Sequence, residues 1–203
     1  MKEEVFDIAI VGGGIVGSAT FYQLQKAFPT KKLVLIEKEP KLAHHQTGNN
    51  SGVIHSGLYY TPGSKKAENC VNGRHELVKF AKDHRINHDI CGKVVVATSS
   101  SEISNLEKIL DNGIQNNIEG IERINADQIK EIEPEVAGVD GIWVPCTGII
   151  DFASVTERMI QVAIGTNTSS KVYTSTEVVN IEQGEDEKVI LCKNLKIKST
   201  FLI

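Results

Sequence analysis

The stretch Ile8-Ala9-Ile10-Val11-Gly12-Gly13-Gly14-Ile15-Val16-Gly17, with Glu37 twenty positions after its last glycine, constrains the fold more than any other feature of the chain. A short apolar run that breaks on glycine reads as a buried strand, and the residues after Gly14 read as the first turn of a helix. Gly12 permits the tight turn, Gly14 lets the backbone approach a pyrophosphate, and Gly17 lets the helix pack close to the strand. The helix start presents unpaired N–H groups and a positive dipole end to phosphate. Glu37 closes a second strand, Leu33-Val34-Leu35-Ile36, where a carboxylate accepts hydrogen bonds from ribose hydroxyls. A glycine-rich loop that merely joins a strand to a helix has no need of that acid in register. Gly12, Gly13, Gly14, Ile15, Val16, Gly17 and Glu37 are therefore candidate dinucleotide-binding residues. The fingerprint does not separate NAD from FAD, because both present an adenosine ribose and a pyrophosphate to this geometry.

With 203 residues, 40% of them hydrophobic and 24% charged, the chain has the make-up of an ordinary globular protein with one sizeable core or two modest ones. A net charge of −4 gives no reason to invoke nucleic acid or an anionic membrane surface. Cys70, Cys91, Cys146 and Cys192 are widely scattered and form no CxxC pair, which reads as thiols of a reducing compartment rather than a disulfide frame or a zinc site. His44-His45 invites a metal reading, but adjacent residues rarely ligate one ion together and no cluster with metal spacing follows, so no metal is expected. Met1-Lys2-Glu3-Glu4 leads directly into the first strand, leaving no room for a signal or transit peptide. No apolar run approaches the roughly 20 residues needed to span a bilayer. The expectation is a cytosolic protein, at most peripheral to a membrane.

The first βαβ unit covers residues 6–37, with Ala19, Leu24 and Ala27 turned towards the sheet and the helix ending near Phe28-Pro29. Residues 44–57 are polar, glycine-rich and aperiodic, and loops of this length tend to be functional. A helix over 64–84 follows, with Ala67, Cys70, Val71, Leu77, Val78 and Ala81 on its inner face. Beyond it, 93–97 reads as a strand, and Ser99 with Glu102 as a capping box before Ile103, Leu106, Ile109 and Leu110, with Gly113 just past the helix end. Asn125 opens a short helix carrying Ile129 and Ile132 and stopped by Pro134; 141–145 reads as a strand; Asp151 caps a helix with Val155, Met159, Ile160 and Ala163. From Lys171 onwards the pattern is β, over 171–173, 178–181 and 189–192, and Phe201-Leu202-Ile203 reads as a strand only just begun. Glu182, Glu185, Asp186 and Glu187 around Gly184 read as a solvated turn, and Lys193, Lys196 and Lys198 as strand residues facing water.

Three stretches carry a resemblance to a known family: residues 7–17; the run 45–64, which begins His45-Gln46-Thr47-Gly48-Asn49-Asn50-Ser51-Gly52-Val53-Ile54-His55-Ser56-Gly57; and Val144-Pro145-Cys146-Thr147-Gly148-Ile149-Ile150-Asp151. Together they resemble the N-terminal part of the L-2-hydroxyglutarate dehydrogenase/oxidase family, within the D-amino-acid-oxidase-like group of FAD enzymes. The second run is the specific one and separates this family from the amino-acid oxidases. The resemblance covers essentially the whole chain, and the family's members continue well beyond it, so the chain reads as a fragment or a truncated product.

The resemblance implies an α/β fold in which a Rossmann-like FAD-binding domain, residues 1–89 and 149–203, is interleaved with part of a mixed-sheet substrate domain, residues 90–148. It implies FAD as cofactor and oxidation of L-2-hydroxyglutarate to 2-oxoglutarate, with hydride passing to the flavin while a base removes the hydroxyl proton. The electron acceptor is left open between oxygen, a quinone and an electron-transfer protein, and a eukaryotic parent would be mitochondrial. Carried onto matching positions, it implies cofactor contacts by Lys38, Gln46, Thr47, Asn50, Ser51, Gly52, Val53, Ile54 and Val179. It places His55 beside the isoalloxazine, where an imidazole serves as base, polarises substrate or flavin, or simply fixes the loop by bonding to backbone. Tyr59, Tyr60 and Lys66 are candidates to line the pocket. Two alternatives stay open: a related FAD oxidoreductase acting on an amino acid, an amine or glycerol 3-phosphate, and a catalytically silent dinucleotide-binding fragment.

Overall fold

The computed structural model describes residues 2–185 and 187–203 and divides into two units, one ending at Ser51 and resuming over Phe152–Ile203, the other Gly52–Asp151. Met1, and Asp186 of the acidic turn, lie outside the described residues.

The first unit opens with β1 (Lys2–Val11), α1 (Ile15–Ala27) and β2 (Leu33–Ile36). In the second unit come β3 (Val53–Ile54), α2 (Lys65–His84), β4 (His88–Asp89), β5 (Lys93–Ala97), α3 (Ile103–Gln115), β6 (Glu122–Asn125), α4 (Ala126–Ile132), β7 (Asp140–Val144) and β8 (Gly148–Ile150). The first unit then closes with α5 (Phe152–Thr166), β9 (Lys171–Tyr173), β10 (Val178–Gln183), β11 (Lys188–Cys192) and β12 (Leu195–Leu202).

The first unit's sheet has the order β10-β11-β12-β1-β2-β9, with β12, β1, β2 and β9 mutually parallel and β10 and β11 antiparallel at one end. Its central strands are apolar on both faces, as a covered parallel sheet requires. Ile8, Ile10, Leu33 and Leu35 pack with Phe21 of α1 and with Ile160 and Ala163 of α5. The alternate residues Ala9, Val34 and Ile36 pack with Ile190, Cys192 and Ile197 of the antiparallel ribbon.

Three features of this unit depart from the sequence expectation. The buried stripe of α1 is Ser18, Phe21 and Gln25, while Ala27 is exposed and Ala19 only partly covered. Those three positions fall on one face at 3.6 residues per turn, and the amide of Gln25 is tolerated there because it is satisfied. Gln25 Nε2 donates to the Phe28 and Lys31 carbonyls at 3.2 Å each, and its Oε1 accepts from the Ser170 hydroxyl at 2.6 Å. Second, Phe201-Leu202-Ile203 completes a strand rather than beginning one, since β12 already starts at Leu195. Third, Lys196 and Lys198 do not simply face water: each pairs with Glu3 on β1, at 3.0 and 3.2 Å, while Ile197 between them is buried.

Glu4 ties β1 to β9 across the sheet. Hydrogen bonds from Lys171, at 2.7 Å, and from Lys2 lower its carboxyl from the ordinary 4.5 to about 2. Because the folded value is depressed, this contribution is present above about 4.5 and is lost as the pH falls through 2. Glu4→Gln should therefore flatten the loss of stability between those limits, read as the urea midpoint at pH 7 and at pH 3; an unchanged acid limb would contradict it.

The second unit holds two three-stranded antiparallel sheets, β5-β7-β6 and β3-β8-β4. Helix α2 starts where expected, with Ser64 Oγ accepting from the Ala67 N–H at 3.2 Å, and Gly73 lies exposed on its outer face. Asn125 forms a full capping box with Gln128 at the head of α4. The expected box at Ser99 and Glu102 does not form. Glu102 instead accepts from the Thr98 N–H and hydroxyl at 2.7 and 2.8 Å, and the Ser99 hydroxyl pairs with Ser101. Gly113 sits inside α3, not past its end, because a Cβ there would lie 2.4 Å from Ile121 Cδ1 and 2.8 Å from Leu58 Cδ1. Residues 52–89 are compact with this unit, whereas the domain reading groups them with the first. Leu58 packs with Ala97, Ile142 and Val144, and Asn116 Nδ2 donates to the Gly57 and Tyr60 carbonyls at 3.2 and 2.9 Å.

Candidate functional site

The first unit carries a cleft of about 1120 Å³ where β1 and β2 end and α1 begins. The chain leaves β1 through Gly12, whose φ of +111° suits glycine and whose N–H donates to the Ile36 carbonyl at 2.8 Å. Gly14 caps α1 in extended conformation and offers no side chain to the helix end. Thr47 Oγ1 accepts the Ile15 N–H at 3.0 Å, from thirty-two residues further along the chain. The Val16 and Gly17 N–H groups have no acceptor within the helix by its geometry, and no acidic residue occupies the first turn. The positive end of α1 thus opens into the cleft with donors to spare.

Glu37 is buried at the base of this turn, only 9% exposed. Its Oε2 accepts from the Gly13 N–H at 2.6 Å and its Oε1 from the Glu39 N–H at 2.8 Å. Two carboxylate oxygens hold about four lone-pair sites, so acceptor capacity remains on the side that lines the cleft. The same contact explains Gly13, which the spacing rule leaves unspecified: a Cβ there would lie 2.6 Å from Leu42 Cδ2 and 3.0 Å from Glu37 Cβ. Next to Glu37, partial desolvation pushes the Glu39 carboxyl up, but Lys38 at 3.3 Å, with His44 and His45, outweighs it and holds the carboxyl below the usual range.

Of the residues singled out from sequence, Gly12, Gly14, Ile15, Val16, Gly17, Glu37, Lys38, Gln46, Thr47 and Asn50 line this cleft. Gly13 lies beneath it, and Ser51 is exposed at the end of the first unit's opening segment. Val179 is 57% exposed; its neighbour Val178 lines the cleft, since the β10 register shifts between Val178 and Asn180. Thr20, His44, His45, Thr176, Glu177 and Ile203 also line it and were not foreseen. No local pattern marks Thr176, which reaches the site because its N–H donates to the Glu37 carbonyl at 2.9 Å.

Gly52, Val53, Ile54 and His55 lie in the second unit. Val53 and Ile54 form β3 against Ile149 and Gly148, and the Gly52 carbonyl accepts from the Ile150 N–H at 2.8 Å. His55 is exposed; its carbonyl accepts from the Cys70 thiol at 3.5 Å, and among the described residues its ring makes no hydrogen bond. Lys93 lies 4.6 Å from the Tyr59 ring centroid and donates to its hydroxyl at 3.3 Å, while Tyr60 and Lys66 are exposed. Among the described residues, no helix is long and apolar enough to cross a membrane.

A helix start with free donors, a crossing that admits no Cβ and a buried carboxylate beside it fit a dinucleotide. The comparisons with known proteins agree. The model of a family described as FAD dependent oxidoreductase, DAO, matches residues 7–200. An L-2-hydroxyglutarate dehydrogenase from Indibacter alkaliphilus is 42% identical over 98% of this chain and 49% of its own length. The Escherichia coli K12 protein of that name is 39% identical over 92% of this chain and 43% of its own length. The chain therefore spans about half the length of the curated relatives it matches. Among solved structures, L-alpha-glycerophosphate oxidase from Mycoplasma pneumoniae with FAD bound superposes with a TM-score of 0.82 at 27% identity, over 96% of this chain and 52% of that one. Glycine oxidase from Geobacillus kaustophilus gives 0.85 at 18% identity, over 98% and 54%, a likeness of fold alone.

Proposed function

The chain belongs to the DAO family of FAD-dependent oxidoreductases, and from that membership we propose that it serves an enzyme oxidising L-2-hydroxyglutarate to 2-oxoglutarate. The observation that supports the substrate is the 42% identity to a dehydrogenase of that name, carried across 98% of the chain. When bound, FAD supplies the acceptor for the hydride of the carbinol carbon.

The residues of this chain contribute binding, orientation and one proton acceptor. The α1 N-terminus, through the Val16 and Gly17 N–H groups, receives the pyrophosphate. Glu37, held by Gly13 and Glu39, turns its remaining lone pairs to the ribose hydroxyls. Thr47 secures the strap that closes over the helix start. Lys38, Gln46 and Asn50 complete the cofactor wall, and Ser51, Gly52, Val53, Ile54 and Val179 are proposed as further cofactor contacts. His55, with its ring free of hydrogen bonds among the described residues, takes the proton of the substrate hydroxyl. On this reading residues 1–89 and 149–203 serve the cofactor and 90–148 the substrate.

The test is the visible spectrum of the flavin-loaded protein under anaerobic conditions. L-2-hydroxyglutarate should bleach the flavin, and D-2-hydroxyglutarate, glycine and glycerol 3-phosphate should not. Bleaching by glycerol 3-phosphate alone would move the chain towards the glycerophosphate oxidases that share its fold.

A further inference from the structure

Beside the cleft, the chain brings together three metal-ligating side chains, Glu39 and, five and six positions later, His44 and His45. His45 Nε2 is 3.1 Å from Glu39 Oε1, His44 Nε2 is 3.8 Å from Glu39 Oε2, and one donor atom from each of the three lies within 4.8 Å of the others. Neighbouring residues seldom point at one ion, but here the backbone is bent so that both imidazoles reach one carboxylate. Ala43 just before them takes φ +55°, which a residue with a Cβ adopts at a cost of order 1 kcal/mol. His45 itself sits at φ −99°, ψ −124°, outside the regular regions. The two rings stand edge to face, at 71° with centroids 5.3 Å apart, so their Nε2 atoms converge on the same carboxylate.

We propose that Glu39, His44 and His45 form a site for a divalent first-row transition cation of the zinc class. Two imidazoles and one carboxylate are a donor set that suits zinc and leaves a coordination position open. With Zn–N and Zn–O near 2.0–2.1 Å, tetrahedral ligand atoms lie about 3.3 Å apart; the donor atoms here lie within 4.8 Å of one another, and a bound cation would draw them closer. The expectation drawn from the sequence, that His44-His45 binds no metal, weighed only the histidine pair; Glu39 lies outside it and no ligand spacing announces it. A bound cation would pin the strap that carries Gln46 and Thr47 to the segment following Glu37, and so stiffen one wall of the cleft.

Cobalt(II) titration of the purified chain, followed by its visible bands, is the experiment. One equivalent should bind saturably, give the intense bands of a site with fewer than six ligands, and be displaced by zinc. Glu39→Gln, His44→Asn and His45→Asn should each weaken binding on the order of tenfold or more, whereas His75→Asn, which removes the imidazole 3.0 Å from Glu119, should leave it unchanged. Zinc should raise the melting temperature of the parent chain and not that of the three variants. X-ray absorption of the zinc-loaded parent chain, which needs no variant to fold, should count two imidazoles. Absence of saturable binding, binding that survives all three substitutions, loss of binding in His75→Asn, or a zinc shell without imidazole would overturn the proposal.

Discussion

Gly17→Ala is expected to destabilise the folded chain by about 3 kcal/mol and to abolish dinucleotide retention. The added Cβ would stand 2.0 Å from the Gly12 carbonyl oxygen. That oxygen is backbone and cannot rotate away. Gly12 is itself tied through its N–H to the Ile36 carbonyl, and α1 is held to the sheet by the fully buried Phe21. Relief must come from lifting the helix start off β1, which removes the Val16 and Gly17 donors from the position where phosphate would sit. The expected fall in melting temperature is roughly 6–12 °C for a chain of this size. Gly14→Ala separates the two effects. A Cβ there meets only Thr47 Oγ1, at 3.3 Å, so that variant should fold nearly as the parent does while binding flavin less tightly. A Gly17→Ala chain that melts with the parent would show that helix and strand need not cross so closely.

Glu37→Gln should lower stability by about 1–3 kcal/mol and weaken flavin binding by roughly tenfold to a hundredfold. Both oxygens of Glu37 accept backbone N–H groups, from Gly13 and Glu39, in a place only 9% exposed. Glutamine has the same shape but replaces one acceptor with an NH₂ group, which would face an N–H donor. One buried amide must then go without a partner, and one acceptor for the ribose is lost as well. Urea unfolding reads the first effect and flavin titration the second. If binding weakens while the urea midpoint holds, Glu37 serves the ligand alone and its two backbone bonds carry no structural weight.

Much of the fold was legible because its signals are local. The alternation of core faces in Ile8-Ala9-Ile10, the short Leu33–Ile36 run and the capping residues Ser64 and Asn125 act on their own neighbourhood, and each produced the element expected of it. Where a signal had a rival partner, the local reading failed. Glu102 could reach Thr98 as readily as cap the helix after Ser99, and Gly113 answered to Ile121 and Leu58 rather than to a helix end. Lys196 and Lys198 of β12 read as strand residues facing water because their partner, Glu3, lies at the other end of the chain.

By itself, the sequence determined the βαβ turn and the acid that closes it, since glycine spacing and apolar period dictate backbone conformation within a few residues, whereas the kinship to FAD oxidoreductases rested on the resemblance carried chiefly by the 45–64 run. The tertiary structure alone decided which distant groups finish the site. Thr47 meets the Ile15 N–H across thirty-two positions, and Thr176 meets the Glu37 carbonyl from the far part of the chain. Such meetings depend on strand order and on how the chain turns between elements, and those follow from packing the whole unit at once, which no local pattern encodes.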